Sequence, residues 1–251
     1  MSAILKVEIT PPPANLSTLG PVSAQKRILL IGDSGTGKTR FIGTMPKPAV
    51  ALFDPGGAET LLGKDVIPLY YEGENGWRDF KTELQEWRKG YKWDRETFAL
   101  DSLTMAADAA MAFVLKKNGR TTSQPTIADW GEAIREVKDV LGIVTTLPGH
   151  VVVTAHAQLV KDELLGDLQW LPLIFGKDLP YRLGIWFGDV WHTTVKTEFK
   201  GGVQVSEYRL QMKPDQRMRI IKSRMDPDGK IFNFYETPDY PTLVAKAKGA
   251  K

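Results

Sequence analysis

Four short, mostly apolar runs lie along the chain, at residues 28–31, 49–53, 97–100 and 150–155, and a further candidate run lies at residues 66–71. Apolar runs of this length, bounded by turn residues, predict buried β-strands. The polar residues that follow each run are therefore expected at the carboxyl end of a strand.

Helical periodicity occupies the segments between these strands. Trp77, Phe80, Leu84 and Trp87 recur at spacings of three and four, which predicts an amphipathic helix that ends at Gly90. The other predicted helices are a short one that ends near Thr44, one over residues 104–117, and a long one lined by Trp130, Ile134, Val137, Leu141 and Val144 that follows a capping signal at Thr126 and Asp129.

After residue 156 the pattern changes to strands without intervening helices. Residues 157–181 hold two prolines and no clear period, which predicts a long functional loop. A hairpin is predicted from residues 185–199 and 203–212. Shorter strands are predicted at residues 217–222 and 231–235, before a short basic tail from Thr242. The whole order predicts an α/β fold with a mostly parallel sheet flanked by helices and antiparallel strands at its C-terminal edge.

Residues 1–25 stand apart from this pattern. Residues 3–9 alternate enough to predict a short strand, which the prolines at 11–13 end, and residues 15–25 have the composition of a linker. Two interpretations stay open, a tail without fixed structure and an oligomerisation arm whose strand adds to the sheet of a neighbouring subunit. Residues 26–251 are predicted to form the core domain.

Composition excludes several kinds of chemistry. The 251 residues include no cysteine, so disulfides, thiolate metal sites and cysteine catalysis are excluded, and a reducing compartment is favoured. The three histidines lack a metal-ligand spacing. The chain has no apolar run of eighteen residues and no signal segment, so a cytoplasmic protein that does not contact a membrane is expected. A net charge of +3 does not by itself indicate a nucleic-acid partner.

The first apolar run leads into GDSGTGKT at residues 32–39, which matches G-x-x-x-x-G-K-[ST]. In this motif glycines let backbone N–H groups surround phosphate oxygens at a helix N-terminus, the lysine reaches the β- and γ-phosphates, and the threonine hydroxyl binds Mg²⁺. The alternative is an ordinary strand–turn–helix junction, which the specific spacing disfavours. The motif predicts a site for ATP and Mg²⁺ whose nucleotide contacts are Gly32, Asp33, Ser34, Gly35, Thr36, Gly37, Lys38, Thr39 and Arg40.

Three further polar residues end predicted strands, namely Asp54, Asp101 and His156. Ligands of parallel α/β sheets bind outside the carboxyl ends of the strands, where the phosphate loop also emerges. An apolar strand that ends in an acid downstream of such a loop has the Walker B pattern, so Asp101 is predicted to hold Mg²⁺ together with Thr39. The alternative for Asp101 is a helix cap.

The phosphate loop, the strand that ends in Asp54, DSLT at residues 101–104 and VVVTAH at residues 151–156 together resemble the RecA-like ATPases. The resemblance covers residues 26–235, and within that group the chain resembles small phage-encoded RecA/RadA-type single-strand annealing recombinases. It implies a RecA-like ATPase core, a γ-phosphate sensor at His156 or Gln158, and a host-cell cytoplasmic location. It also implies that Lys222 and Arg224 form a K-x-R finger which reaches the nucleotide of the next subunit.

One position departs from the RecA-type pattern. Those recombinases carry a glutamate base two residues after the strand-end acid, and here that position is Gly56. Glu59 is the first candidate to orient the attacking water and Asp54 is the second. The alternative is slow hydrolysis.

The resemblance also implies two DNA-facing loops. Lys116, Lys117 and Arg120 lie in the first, and Lys161, Lys177 and Arg182 lie in or near the second. Basic side chains follow a phosphate backbone, and Trp170 is a candidate to stack on a base. Each residue taken singly is more often a solvated charge or, for the tryptophan, a packing residue.

The motifs and the resemblance are compatible with three functions. The first is an ATPase, stimulated by single-stranded DNA, that acts in recombination and assembles head to tail into a filament or ring. A single-stranded-DNA-binding protein is a further candidate partner. The second is a nucleotide-dependent switch or scaffold that acts on a protein partner, which Gly56 favours. The third, a phosphotransferase, is disfavoured because the sequence has no lid or acceptor-binding signature.

Overall fold

A computed structural model of the protein describes residues 25–54, 56–73, 75–88, 94–161 and 166–249. Its strands are β1 (Arg27–Ile31), β2 (Pro48–Leu52), β3 (Ile67–Tyr70), β4 (Thr97–Asp101), β5 (His150–Ala155), β6 (Ala157–Lys161), β7 (Leu168–Pro172), β8 (Asp189–Lys200), β9 (Val203–Gln211) and β10 (Tyr235–Glu236). Its helices are α1 (Lys38–Ile42), α2 (Gly76–Arg88), α3 (Leu103–Lys117), α4 (Ile127–Val144), α5 (Leu179–Arg182) and α6 (Tyr240–Gly249).

Eight strands form one sheet in the order β10-β9-β8-β1-β5-β4-β2-β3. The pairs from β8 through β1, β5, β4 and β2 to β3 are parallel, whereas β8–β9 and β9–β10 are antiparallel. The predicted mostly parallel sheet with antiparallel edge strands is confirmed. Since β5 lies between β1 and β4, the phosphate loop and Asp101 lie on either side of the strand that carries His156.

The two faces of the sheet bury two different sets of side chains. Leu29 and Ile31 of β1 face the layer formed by α2, α3 and α4, whereas Ile28 and Leu30 face α1 and α6. This division follows from the alternation of side chains along a strand, so a strand buried on both faces reads as a continuous apolar run. The layered core fixes the carboxyl ends of the parallel strands along one edge.

The capping signal that precedes α4 is confirmed. The Thr126 hydroxyl accepts a hydrogen bond from the Asp129 backbone N–H, and the Asp129 carboxylate accepts one from the Thr126 backbone N–H. These reciprocal bonds satisfy donors at the helix N-terminus that otherwise have no partner within the helix.

The prediction of an irregular loop at residues 157–181 is wrong. Strands β6 and β7 form an antiparallel hairpin there, with Leu159 opposite Trp170, and α5 follows it. Proline disfavours a strand because it lacks a ladder donor, but Pro172 lies at the end of β7, an edge strand of a two-stranded sheet, where proline is tolerated. The hairpin predicted around residues 200–202 is confirmed as β8 and β9.

The last third of the chain corrects two more predictions. Residues 217–222 form no strand, and only a single bridge joins Lys222 to Val190. The strand predicted at residues 231–235 shrinks to β10, because the Asp226 carboxylate accepts hydrogen bonds from the N–H groups of residues 230–232 and holds them in a turn. The described part of the basic tail, residues 242–249, belongs to helix α6, which buries Tyr240, Leu243 and Ala247 on one face.

The predicted N-terminal arm lies outside the described residues, except for its last residue. Within the described ranges, none of the helices has both the length and the apolar composition needed to cross a membrane.

Candidate nucleotide-binding site

The phosphate loop connects β1 to α1 and is fixed by close backbone packing. Gly35 and Gly37 have φ angles of 76° and 91°, in the left-handed region that favours glycine. A Cβ atom at Gly32 would come within 2.6 Å of the Thr193 carbonyl oxygen and 2.7 Å of Thr36 Oγ1. Thr36 also shares a 2.7 Å hydroxyl contact with Thr193, so β8 holds the loop from the side.

Lys38 lies inside this loop. Its side chain is buried, and Nζ donates to the backbone carbonyls of Gly32 at 2.9 Å and Asp33 at 2.8 Å. Burial lowers the pKa of Lys38, and the nearby carboxylate of Asp101 opposes that shift. The carbonyls of the loop thus hold the ammonium group within the loop.

Asp101 lies at the end of β4 with 3% of its surface exposed. Its Oδ2 accepts a hydrogen bond from Thr39 Oγ1 at 2.6 Å, and its Oδ1 accepts one from Thr154 Oγ1 at 2.5 Å. The contact with Thr39 spans the width of β5 and brings the loop hydroxyl against the strand-end carboxylate. The predicted convergence of these two residues is therefore present.

This pair fits the protein ligands that Mg²⁺ takes in nucleotide sites. Mg²⁺ is bound by one or two protein oxygen ligands, water and substrate phosphates, so it does not need a cage of protein side chains. Accordingly, no cluster of three or more His, Asp or Glu side chains with metal-binding geometry occurs among the described residues.

His156 and Asp54 complete the opposite flank of the site. His156 Nε2 lies 3.9 Å from Asp54 Oδ2, and the His156 backbone N–H donates to Thr104 Oγ1 at 3.0 Å. Burial, with the positive charge of Lys38, lowers the pKa of His156 below its ordinary value. The imidazole is able to donate a hydrogen bond from a ring N–H in either protonation state.

These groups line one cavity of about 380 Å³. The lining residues are Ser34, Gly35, Gly37, Lys38, Thr39, Arg40, Asp54, Gly56, Gly57, Thr60, Asp101, His156 and Tyr208. Gly57, Thr60 and Tyr208 were not predicted from the sequence. No local motif marks Tyr208, which reaches the cavity only because β9 pairs with β8 beside β1.

The two candidates for orienting water differ in position. Asp54 lines the cavity, and its Oδ1 accepts a hydrogen bond of 3.2 Å from the Gly56 backbone N–H. Glu59 is exposed in a short 3₁₀ turn, Ala58–Leu61, next to the lining residue Thr60. The choice between the two carboxylates stays a prediction.

Comparison with known proteins identifies the family to which this chain belongs. The family model described as "AAA domain" (AAA_24) matches residues 24–217. The chain belongs to this AAA domain family. The match confirms the predicted P-loop ATPase class, whereas the narrower resemblance to phage recombinases stays a prediction.

Two solved structures are similar to the AAA domain. A prototypical ATPase from the type III secretion system of pathogenic bacteria is 14% identical with a TM-score of 0.42, over 67% of this chain and 52% of that one. The flagellar accessory protein FlaH from Methanocaldococcus jannaschii is 11% identical with a TM-score of 0.41, over 85% of each chain. The AAA domain thus spans about half the length of the first protein. No curated protein matches the sequence.

The predicted finger residues lie beside the amino-terminal end of β8, at the opposite end of the AAA domain's parallel strands from the phosphate loop. Lys222 bridges Val190, and Ser223 Oγ donates to Asp189 Oδ1 at 2.7 Å. Asp189 is in register with Ile28 at the start of β1, whereas the phosphate loop follows the end of that strand. Lys222 and Arg224 therefore lie away from the cavity of their own subunit.

Two of the basic residues of the first predicted DNA loop form ion pairs within the AAA domain. Arg120 Nε donates to Asp129 Oδ2 at 3.0 Å, and Lys117 pairs with Glu132 at 2.5 Å. The arginine and the capping hydrogen bonds keep the pKa of Asp129 well below its usual range. Lys116, at the end of α3, is exposed.

Around the second predicted loop, Trp170 packs partly buried against the core, with its ring 6.3 Å from that of His192. Lys161, Lys177 and Arg182 are exposed. A contact of any of these residues with DNA stays a prediction.

Proposed function

We propose that this AAA domain binds ATP with Mg²⁺ and hydrolyses it to ADP and phosphate. The observation that carries the proposal is the 2.6 Å hydrogen bond between Thr39 and Asp101, in a cavity that also holds Lys38. A phosphate-loop hydroxyl against a buried strand-end carboxylate is the pair that positions a phosphate-bound metal ion in P-loop ATPases.

Each group has a distinct part in this chemistry. Backbone N–H groups of the loop bind the phosphates, and Lys38 supplies positive charge at the β- and γ-phosphates. Thr39 and Asp101 would hold Mg²⁺, which when bound neutralises charge on the transferring phosphoryl group. Asp54 orients the water whose oxygen attacks the γ-phosphorus as the bond to the bridging β–γ oxygen breaks. His156 donates a hydrogen bond to the γ-phosphate.

Steady-state phosphate release tests this proposal. Lys38→Ala should abolish activity, and Asp54→Asn should reduce hydrolysis more than Glu59→Gln while leaving ATP binding intact. Wild-type protein that neither binds nor hydrolyses ATP in the presence of Mg²⁺ would overturn the proposal. Equal activity of Asp54→Asn and wild type would show that another group orients the water.

The more specific proposal is that single-stranded DNA stimulates this ATPase and that subunits assemble head to tail for recombination. The position of Lys222 and Arg224 supports head-to-tail assembly, because residues at the amino-terminal end of the parallel strands, opposite the phosphate loop, reach a nucleotide only in the next subunit. The exposed side chains of Lys161 and Arg182 support a contact with a phosphate backbone.

Subunit mixing tests the assembly. Lys38→Ala and Arg224→Ala subunits should each be inactive alone, and the mixture should regain activity because the first supplies its finger to the second. A mixture that stays inactive argues against a shared site.

The DNA partner is tested by ATPase assays with single-stranded DNA over a salt series. Stimulation that fades as salt rises is expected, and the absence of any response would contradict it.

A second candidate function is a nucleotide-dependent switch or scaffold that acts on a protein partner. Gly56 favours it, because this glycine lies in the cavity where RecA-type recombinases carry the water-activating glutamate. Tight ATP binding with hydrolysis that DNA does not change would favour this candidate over the first.

A further inference from the structure

Tyr208 is an aromatic residue in the phosphate cavity that the hydrolysis chemistry does not use. Its ring packs against Gly37, where an added Cβ would lie 2.9 Å from Tyr208 Cδ1. The Arg40 guanidinium lies over the same ring, 5.1 Å from its centroid. The lack of a side chain at Gly37 thus makes room for the ring beside the loop.

Sheet order places Tyr208 on the opposite flank from the reacting groups. Tyr208 is on β9, two strands from β1 on one side. Asp101 ends β4, two strands from β1 on the other side, and Asp54 follows β2 beyond it. The cavity therefore has carboxylates and His156 at one end, and an aromatic ring with a planar guanidinium at the other.

The two ends suit different parts of a nucleotide. A phosphate needs N–H donors and positive charge, which the loop and Lys38 supply. The face of a tyrosine ring donates no hydrogen bond, but it stacks on the flat π-surface of a base, as a guanidinium plane also does. A nucleotide whose γ-phosphate lies at Lys38 and Asp101 extends its base away from them.

We infer that Tyr208, oriented by Arg40, is the platform on which the nucleobase stacks. The inference rests on the proposed function for one point only, that the phosphate loop holds the triphosphate. Stacking on a ring face does not read the hydrogen-bonding edge of a base, so Tyr208 contributes to the affinity of ATP and GTP alike.

The experiment compares ligands with and without a base. Dissociation constants for ATP, GTP and inorganic tripolyphosphate are measured by calorimetry with Mg²⁺ for wild type and the Tyr208 variants. Tyr208→Ala should weaken both nucleotides about tenfold or more, the usual effect of losing one base–aromatic stack, and should leave tripolyphosphate unchanged. Tyr208→Phe should retain wild-type affinity for all three ligands.

Tyr235→Ala is the matched control. Tyr235 is a partly exposed tyrosine on the adjacent strand β10 and also has an arginine over its ring, with Arg209 at 5.6 Å. Its removal should change none of the three affinities. Should Tyr208→Ala fail to fold, Tyr208→Leu replaces it, since leucine keeps apolar volume against Gly37 without a π-face, and it should show the same selective loss.

The outcomes separate this inference from the proposed function. Tyr208 variants that bind ATP as tightly as wild type would overturn the platform, and so would an equal loss of ATP and tripolyphosphate binding in a folded variant. Wild-type protein that binds tripolyphosphate no more weakly than ATP would also overturn it. If wild type binds neither ligand, the proposed function itself fails.

Discussion

Replacing Gly32 with alanine tests how tightly the phosphate loop is built against β8. The new Cβ would lie 2.6 Å from the Thr193 carbonyl oxygen and 2.7 Å from Thr36 Oγ1, and closer still to Thr193 Oγ1. Carbon and oxygen normally approach to about 3.4 Å, so the carbonyl cannot be accommodated by a side-chain rotation alone. The loop or β8 must move.

The expected cost follows from these contacts. Overpacking by one methyl group costs about 1–3 kcal/mol. The displaced Thr36 also loses its hydrogen bond with Thr193, worth about 1 kcal/mol. The free energy of unfolding should therefore fall by about 2–4 kcal/mol, which lowers the Tm of a chain of this size by about 5–15 °C.

Gly35→Ala is the control within the same loop. Gly35 has a φ of 76°, but an added Cβ would meet nothing within 4 Å. Its cost is the left-handed conformation, about 1–2 kcal/mol, partly offset by about 0.4–1 kcal/mol from a less flexible unfolded chain. The Tm should fall by less than about 5 °C.

Thermal unfolding followed by circular dichroism, without nucleotide, measures both variants. A Gly32→Ala protein that melts with wild type, or no lower than Gly35→Ala, would refute the steric reasoning. Adding Thr193→Ala to Gly32→Ala removes the hydroxyl but leaves the carbonyl contact, so the double variant should recover only part of the loss.

Three further predictions follow from the contacts in the site and around it. Asp101→Asn should lower the ATPase rate by about 100-fold or more, since it removes the charge that accepts from Thr39, and a rate within threefold of wild type would contradict this. Arg120→Ala should lower the Tm because it removes the charged partner of buried Asp129, which keeps only its hydrogen bonds from Thr126 and Asn118, whereas Lys117→Ala should change the Tm little; equal effects would mean that the arginine has no structural role. Burial lowers the pKa of His150 in the folded chain. As the pH falls below about 6.5, the unfolded chain therefore takes up a proton at this position before the folded chain does, and the free energy of unfolding decreases as the pH decreases. Tm measured from about pH 7.5 to about pH 5.5 should decline less steeply in a His150→Gln variant.

Most strands of the parallel core could be predicted from the sequence because the patterns that indicate them are local. The run at residues 28–31 is buried on both faces of the sheet, so burial appears as uninterrupted apolar sequence. The GDSGTGKT loop has fixed spacing because its backbone must surround a phosphate. Lys38 and Thr39 were found in this way, without knowledge of their partners.

Predictions failed where specific hydrogen bonds outweighed local composition. Residues 157–181 read as a loop because of their prolines, yet the pairing of Leu159 with Trp170 makes a hairpin. Asp226 draws residues 230–232 into a turn through hydrogen bonds that no periodic pattern records.

The sequence alone determined that the chain has a phosphate loop and polar residues at the ends of buried strands. Only the tertiary structure decided which of those residues meet. The hydrogen bond from Thr39 to Asp101 depends on β5 being inserted between β1 and β4, and the place of Tyr208 depends on β9 pairing with β8. Strand order is set by the packing of the whole sheet, so residues 171 positions apart, Gly37 and Tyr208, come into contact with no signal in the sequence around either one.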